Sequence, residues 1–335
     1  MKGPRRAGIW GVGSSVPERV LTNADLEKMV DTSDEWISTR TGIKERRIAS
    51  AGTNTSHYAA LAAKAALARA GVRPCELDLI IVATVTPEMP FPSTACLVQT
   101  LIDAPQAGAF DVSAGCSGFV YALDIAARGV ESGAYEKVLV IGADLLSRIT
   151  DFTDRSTCVL FGDAAGAAVV GPVDKGGVLS TYLGADGSGG KHLTVEIGNS
   201  TPRGDFSIPG TGKYIRMEGR EVFKFAVRIM PEAALEALRR AGKSADEVDL
   251  FIPHQANVRI IDAAAKRLEI EGDRVFVNVH KYGNTSAASI PLALDEAVDQ
   301  GRIKPGDLVV LVGFGAGLTW GAAAIEWNGE AVGRG

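Results

Sequence analysis

A single cysteine, Cys116, lies among small residues at positions 114–118, directly before an apolar helical pattern. Residues 117–131 carry apolar side chains at helical spacing, which places Cys116 at a helix N-terminus. Free N–H groups and the helix dipole favour an anion there, so we expect a thiol pKa lowered to about 3.5–7.5. Cys116 is therefore a candidate nucleophile, and a buried, inert thiol is the simpler alternative.

A histidine and an asparagine further along the chain could assist this nucleophile. His254 closes the strand-like run "VDLFIPH", and Asn284 follows "RVFVNVH", which we also predict to be a strand. Both side chains can donate hydrogen bonds to a developing oxyanion without a fixed charge. Taken singly, a core histidine and a turn or helix-capping asparagine are simpler interpretations. Together with Cys116, and with the glycine-rich run 313–321 as a source of backbone N–H groups, they predict acyl transfer.

These residues belong to a chain that repeats itself. Four fragments return 171 residues later (69 to 240, for example): "RAG", "ELDL" as "EVDL", "ALD", and "VLVIG" as "VVLVG". A repeat in constant order predicts two similar halves, 1–174 and 175–335, with the junction near 171–177. Strands alternate with helices in each half, which predicts βαβ units and a mostly parallel, buried sheet. Cys116, His254 and Asn284 then all follow strand ends, where function concentrates in α/β sheets.

Composition is typical of a soluble globular protein with a large core. The chain has 335 residues, 46% hydrophobic and 22% charged, and a net charge of −5, so a nucleic-acid-binding surface is not indicated overall. The N-terminus shows no apolar signal segment, and the uncharged run 308–325 is interpreted as strand, glycine loop and strand, not as a membrane helix. The four cysteines lack metal-ligand spacing, so we expect reduced thiols and a cytoplasmic location.

Several motifs resemble the β-ketoacyl-[acyl carrier protein] (ACP) synthase III family, the condensing enzymes that initiate type II fatty-acid synthesis. They include "TSDEWISTRTGIKERR", "AFDVSAGCSGFVYAL", "TDRSTCVLFGDAAGAAVV", "IPHQANVRI", "GNTSAAS" and "GFGAGLTWGAA" and span nearly the whole chain. The resemblance implies the thiolase fold: two pseudo-symmetric α/β halves with buried mixed sheets in an αβαβα layering. The first half would carry the cysteine and the second the histidine and asparagine. It implies no cofactor and no metal.

The resemblance also implies a ping-pong decarboxylative condensation. Cys116 would attack an acyl-CoA primer, acetyl-CoA or a short branched acyl-CoA, with the N–H groups of Cys116 and Gly315 as the oxyanion hole. Malonyl-ACP would then lose CO2 while His254 and Asn284 donate hydrogen bonds to its thioester oxygen. The resulting carbanion would attack the acyl-cysteine and release 3-oxoacyl-ACP.

Binding residues are carried over from the same motifs. Trp36 and Arg40 would sandwich the adenine of CoA, and Arg155 and Asn257 would contact CoA elsewhere. Aromatic residues would line the acyl-pantetheine path (Phe223, Phe314) and reach the partner subunit's acyl pocket in a homodimer (Phe91). A basic patch would bind the acidic ACP; its members are Lys224, Arg259, Lys266 and Arg267.

Single residues distinguish the predicted function from those of related enzyme classes. Thiolases use a second, C-terminal cysteine, and no cysteine follows Cys158. Elongating synthases use two histidines, whereas the second position here is Asn284. A synthase III-like paralogue of secondary metabolism with a different starter stays open. A catalytically silent subunit would not need Cys116, His254 and Asn284 together.

Overall fold

The computed structural model describes residues 5–195 and 214–328. Its helices are α1 (Asn23–Leu26), α2 (Asp34–Thr41), α3 (Thr55–Ala70), α4 (Thr94–Ile102), α5 (Gly118–Glu131), α6 (Gly219–Ala241), α7 (Val258–Leu268), α8 (Val279–Tyr282) and α9 (Ser289–Asp299). Its strands are β1 (Arg6–Ser15), β2 (Val20–Thr22), β3 (Glu45–Arg47), β4 (Leu79–Ala83), β5 (Gly108–Val112), β6 (Val138–Leu145), β7 (Asp163–Val173), β8 (Gly177–Ala185), β9 (Leu193–Thr194), β10 (Arg216–Met217), β11 (Leu250–Pro253), β12 (Leu308–Gly315) and β13 (Thr319–Glu326).

Two mixed sheets of matching strand order form the centre of the molecule. The first runs β1-β7-β6-β4-β5 and the second β8-β13-β12-β11. In the first sheet β4 is parallel to β5 and β6, whereas β7 is antiparallel to β6 and β1. In the second sheet β11 is parallel to β12, and β13 is antiparallel to β12 and β8. The prediction of a mostly parallel sheet is therefore wrong for the strands around β7 and β13. In the second sheet, the residues 316–318 between β12 and β13 suffice only for a hairpin turn.

The sequence repeat corresponds to equivalent elements in the two halves. "RAG" ends α3 and α6, and the glycine of each copy, Gly71 and Gly242, adopts the left-handed conformation that closes a helix. "ALD" lies in α5 and α9, and the "VLVIG" and "VVLVG" runs lie in β6 and β12. The first sheet ends at Val173 and the second begins at Gly177. The division at 174/175 into separate domains stays a prediction.

The hydrophobic clusters show the order in which the helices and sheets are layered. On β4, Ile81 packs into the cluster with Phe119 and Leu294 of α5 and α9, together with Leu311 of the second sheet. The alternate residue Ile80 packs on the other face, against α3 and α4. The outer face of the second sheet is covered by α6 and α7. Helices α5 and α9 thus lie between the sheets, and the αβαβα arrangement implied by the resemblance is confirmed.

The strand predicted at 274–280 is absent. Val275 makes one isolated bridge to Phe251, and the chain then turns into α8. The side chain of Gln255 accounts for the change, because its Oε1 accepts hydrogen bonds from the backbone N–H groups of Asn278 and Val279 at 2.9 and 3.2 Å. These N–H groups are therefore not available to a sheet.

The uncharged run 308–325 forms the hairpin of β12 and β13, as the sequence predicts. Among the described residues, no helix has the length and apolar character that crossing a membrane requires.

Candidate active site

Cys116 lies in the single helical turn Gly115–Ser117 that connects β5 to α5. The turn requires glycine at position 115, where φ is +54°. A side chain there would also come within 2.8 Å of the backbone nitrogen of Ala316. The predicted position of the cysteine at a helix start is therefore confirmed, with one tighter turn between strand and helix.

The expectation of a lowered thiol pKa is wrong. Burial raises the pKa of the Cys116 thiol to about 12; a hydrogen bond from Ser286 opposes this rise, and the nearby carboxyl of Asp144 adds to it. Cys116 is partly exposed, and it lines a cavity within the protein. The thiol is therefore protonated at neutral pH before substrate binds.

The end of β12 contacts both Cys116 and His254. A Cβ at Gly315 would lie 2.4 Å from the backbone nitrogen of Cys116, so only glycine allows these backbones to approach. The preceding residue, Phe314, meets His254 edge-on, with ring centroids 5.4 Å apart. The end of β12 therefore packs against both Cys116 and His254.

His254 directly follows β11 and is fixed on two sides. Its backbone N–H donates to Val312 at 2.7 Å, and its Nδ1 lies 2.6 Å from the Ser289 hydroxyl. The side chain is 1% exposed, and burial lowers its pKa to about 3. At neutral pH the imidazole is therefore uncharged, as its predicted role as a neutral donor requires.

Asn284 is held by the segment that leads into β7. Its backbone N–H donates to Leu160 at 2.8 Å, and its carbonyl accepts from Gly162 at 3.0 Å. The side-chain Oδ1 accepts from the N–H of Ser286 at 2.9 Å, which orients the amide so that Nδ2 is the free, donating end. Ser286 has φ of +51°, an uncommon conformation for a residue with a side chain.

Residues 284–289 connect the three predicted catalytic side chains. Asn284 begins this segment, Ser286 contacts the Cys116 thiol, and Ser289 contacts His254. The structure therefore gathers the cysteine, the histidine, the asparagine and Gly315 at one site. Sequence reasoning included "GNTSAAS" as a motif but assigned no role to its serines.

A cavity of about 480 Å³ opens beside Cys116. Its walls are mainly apolar and come from separate loops; they include Val85, Met89, Leu146, Ile149, Phe161, Leu193 and Ile215. Neither of the two phenylalanines expected on the acyl-pantetheine path, Phe223 and Phe314, lines this cavity. Phe314 instead contacts His254, Phe223 is half-buried on α6, and Phe91 is 84% exposed.

The four residues expected to contact CoA lie together on one surface. The guanidinium groups of Arg40 and Arg155 each lie 5.0 Å from the ring centre of Trp36. Asn257 Nδ2 donates to the carbonyl of Arg40 at 3.0 Å. Asn257 also caps α7, since its Oδ1 accepts from the N–H of Arg259 at 2.9 Å.

The four residues of the predicted basic patch are exposed on the neighbouring helices α6 and α7. Two of them have acidic neighbours: Lys224 pairs with Glu221 at 2.8 Å, and Arg267 pairs with Glu232 at 3.4 Å. Arg259 lies over the ring of Phe223 at 5.4 Å. Within residues 5–195 and 214–328, no three His, Cys, Asp or Glu side chains cluster as metal ligands.

Comparison with known proteins identifies the family. The 3-oxoacyl-[acyl-carrier-protein] synthase III family matches residues 110–187, and its C-terminal family matches residues 238–327. The chain is 58% identical to the β-ketoacyl-[acyl-carrier-protein] synthase III of Caldanaerobacter subterraneus subsp. tengcongensis, over 96% of this chain and 98% of that protein.

Solved structures agree in fold and in sequence. The 3-oxoacyl-[acyl-carrier-protein] synthase III of Aquifex aeolicus is 54% identical, covers 96% of this chain and 100% of its own, and has a TM-score of 0.90. The priming β-ketosynthase of the R1128 polyketide pathway is 40% identical, covers 98% of each chain, and has a TM-score of 0.91. This chain therefore belongs to the β-ketoacyl-[acyl-carrier-protein] synthase III family of thiolase-fold acyltransferases.

Proposed function

We propose that the chain catalyses the decarboxylative condensation of an acyl-CoA primer with malonyl-ACP, giving 3-oxoacyl-ACP, CoA and CO2. The primer would be acetyl-CoA or a short branched acyl-CoA. The observation that carries the proposal is the pair of uncharged donors, His254 and Asn284, next to a nucleophilic thiol. Such donors stabilise an oxyanion that forms from a neutral thioester.

In the first half-reaction the sulfur of Cys116 attacks the thioester carbon of the acyl-CoA. The oxygen that becomes negative accepts hydrogen bonds from the N–H groups of Cys116 and Gly315. Because the resting thiol is protonated, its proton is lost to water as the new C–S bond forms. The C–S bond to CoA then breaks, and the CoA sulfur takes up a proton from water, so that the net proton balance is zero.

In the second half-reaction malonyl-ACP loses CO2, and the electron pair of the broken C–C bond moves into the thioester. His254 Nε2 and Asn284 Nδ2 donate to the oxygen that receives this charge. The enolate carbon then attacks the acyl carbon on Cys116, and the bond from that carbon to the cysteine sulfur breaks. This releases 3-oxoacyl-ACP and a thiolate, which takes up a proton from water to restore the resting thiol. Loss of one such donor costs about 10²–10³ in rate.

The surfaces around the site support both substrates. Arg40 lies 5.0 Å from the ring centre of Trp36, so a sandwich of the adenine between these two side chains would need Arg40 to move away from the ring. An acidic carrier protein would suit the basic patch on α6 and α7, which consists of Lys224, Arg259, Lys266 and Arg267. The apolar cavity beside Cys116 suits the acyl chain.

A homodimer completes the proposal. β5 lies at the edge of the first sheet, with Phe110 on it 39% exposed. Nearby loops and α4 expose Met89, Phe91 and Leu101. An exposed edge strand with apolar neighbours suits pairing with a second copy of the chain, and Phe91 would then reach the partner subunit.

Acylation of Cys116 provides the direct test. Intact mass is measured after incubation with a panel of acyl-CoAs, using the wild type, Cys116→Ala, and Cys75→Ala, which removes an exposed thiol elsewhere. We expect a gain of one acyl group in the wild type and in Cys75→Ala, its loss in Cys116→Ala, and its discharge by malonyl-ACP. No acylation by any CoA would contradict the proposal.

The similarity to a priming β-ketosynthase of a polyketide pathway keeps a second function open, condensation of a different starter. The same acyl-CoA panel separates the two functions. Fastest acylation by acetyl-CoA or a short branched acyl-CoA supports initiation of fatty-acid synthesis, whereas a strong preference for another starter supports the paralogue.

A further inference from the structure

The side chain of His254 has one polar partner in the described part of the chain, the hydroxyl of Ser289. The distance from Nδ1 to Oγ is 2.6 Å, and both residues are 1% exposed. Either the serine O–H donates to an unprotonated Nδ1, or a protonated Nδ1 donates to the serine oxygen. The two arrangements put the ring proton on different nitrogens.

The surroundings of Ser289 decide between them. The backbone N–H of Gln255 also points at Oγ, at 3.5 Å, and an N–H can only donate. If the ring donated as well, the serine proton would have no acceptor, because no carbonyl or carboxylate of the described residues hydrogen-bonds Oγ. Leaving a buried donor unpaired is unfavourable, because its lost hydrogen bond to water is not replaced. Donation from the serine O–H to Nδ1 gives the serine proton an acceptor and leaves Nε2–H as the one donor of the pair without a partner among the described residues.

We propose that Ser289 is a positioning residue that fixes the tautomer of His254 with the proton on Nε2. The ring is neutral, since burial lowers the pKa of His254 to about 3, so it carries one N–H, and Nδ1 is occupied as an acceptor. Nε2–H is then the donor to the thioester oxygen. The opposite tautomer would present a lone pair to a developing negative charge.

Residues 284–289 also orient the side chain of Asn284 as a hydrogen-bond donor. The Ser286 N–H binds Oδ1, which leaves Nδ2 to donate, while the Ser289 O–H binds Nδ1, which leaves Nε2–H to donate. The loop "NTSAAS" thus sets both side chains of the oxyanion site as donors. The catalytic consequence for Ser289 rests on the proposed function, but the tautomer itself does not.

The tautomer is read directly by NMR. In protein labelled with ¹⁵N-histidine, the protonated and unprotonated ring nitrogens resonate far apart, and His254→Gln identifies the signals of His254 among the four histidines. We expect the Nε2–H form in the wild type and in Ser289→Thr, which keeps the hydroxyl, and a mixture or the Nδ1–H form in Ser289→Ala. An unchanged Nε2–H form in Ser289→Ala would overturn the proposal.

Rate measurements then distinguish a positioning role of Ser289 from a purely structural one. Ser289→Ala should lower CO2 release from malonyl-ACP by about 10–100-fold, by analogy with loss of a group that orients a metal-bound histidine, and leave acyl-Cys116 formation unchanged. Ser180→Ala, which removes a hydroxyl bonded to the Ala237 carbonyl away from the site, should leave both rates unchanged. An equal loss of both rates in Ser289→Ala would assign a structural role instead. Failure of the wild type to form acyl-cysteine would reject the proposed function, and the NMR result would still stand.

Discussion

At Cys116 two opposing effects act on one thiol. The start of α5 favours the thiolate, whereas removal of the sulfur from water and the neighbouring Asp144 favour the thiol. Burial is the main cause of the raised pKa of Cys116, so the free enzyme keeps a neutral thiol. In the proposed reaction the thiol loses its proton only after a thioester binds, when the N–H groups of Cys116 and Gly315 can stabilise the oxyanion that forms.

This balance predicts how Cys116 reacts with iodoacetamide. Only the thiolate is alkylated, and with a pKa of about 12 its fraction rises about tenfold per pH unit throughout the accessible range. We therefore expect the rate at residue 116 to climb from pH 6 to pH 9.5 without a plateau. Peptide mass spectrometry on a Cys75→Ser background, which removes the exposed competitor, measures this rate. A plateau between pH 6 and 8 would contradict this prediction and show that the thiol pKa is lowered, as the helix start alone predicts.

At the scale of elements, the site depends on the contact between the end of β12 and the turn that carries Cys116. Gly315 has no room for a side chain, because its Cβ would lie 2.4 Å from a backbone nitrogen. The glycine-rich run 313–321 therefore has a packing reason as well as the proposed oxyanion role.

Gly315→Ala should force the two segments apart. We expect a loss of about 1–3 kcal/mol in the free energy of unfolding from overpacking and a fall of about 10²–10³ in acylation rate as the oxyanion N–H moves away. Gly187→Ala is the matched control, since a Cβ there meets no atom within 4 Å. Urea denaturation and the rate of acyl-Cys116 formation measure the two effects, and wild-type acylation in Gly315→Ala would remove Gly315 from the oxyanion hole.

The elements also show which features a sequence can reveal. The repeated fragments, the helix-closing glycines and the residues after β5 and β11 were predictable, because each depends on local pattern. The missing strand at 274–280 was not, because it depends on the side chain of Gln255, which is distant in sequence. The thiol pKa and the cavity walls were missed for a similar reason: burial is set by loops that meet only in the folded chain.

At the scale of the whole molecule, the edge of the first sheet at β5 is open. In the second sheet β11 takes the place of β4, and Val275 bridges its outer side, whereas β5 has β4 on one side and no partner strand on the other within the described residues. Phe110 on β5 is 39% exposed and Phe91 is 84% exposed, and we expect pairing of β5 with a second copy to bury both. The incomplete edge therefore predicts that the acyl pocket is completed by dimerisation.

Phe110→Lys tests this prediction. A charge on each of two paired edge strands would meet its symmetry mate, so we expect monomers at concentrations where the wild type sediments as a dimer. Leu235→Lys provides the matched control, because Leu235 is a similarly exposed apolar residue (44%) on α6, away from β5. Sedimentation velocity measures the assembly, and acyl-Cys116 formation measures its consequence, which should fall with the dimer if Phe91 contributes to the partner's pocket. A monomeric wild type, or an equal effect of Leu235→Lys, would place the apolar edge of β5 outside any dimer interface.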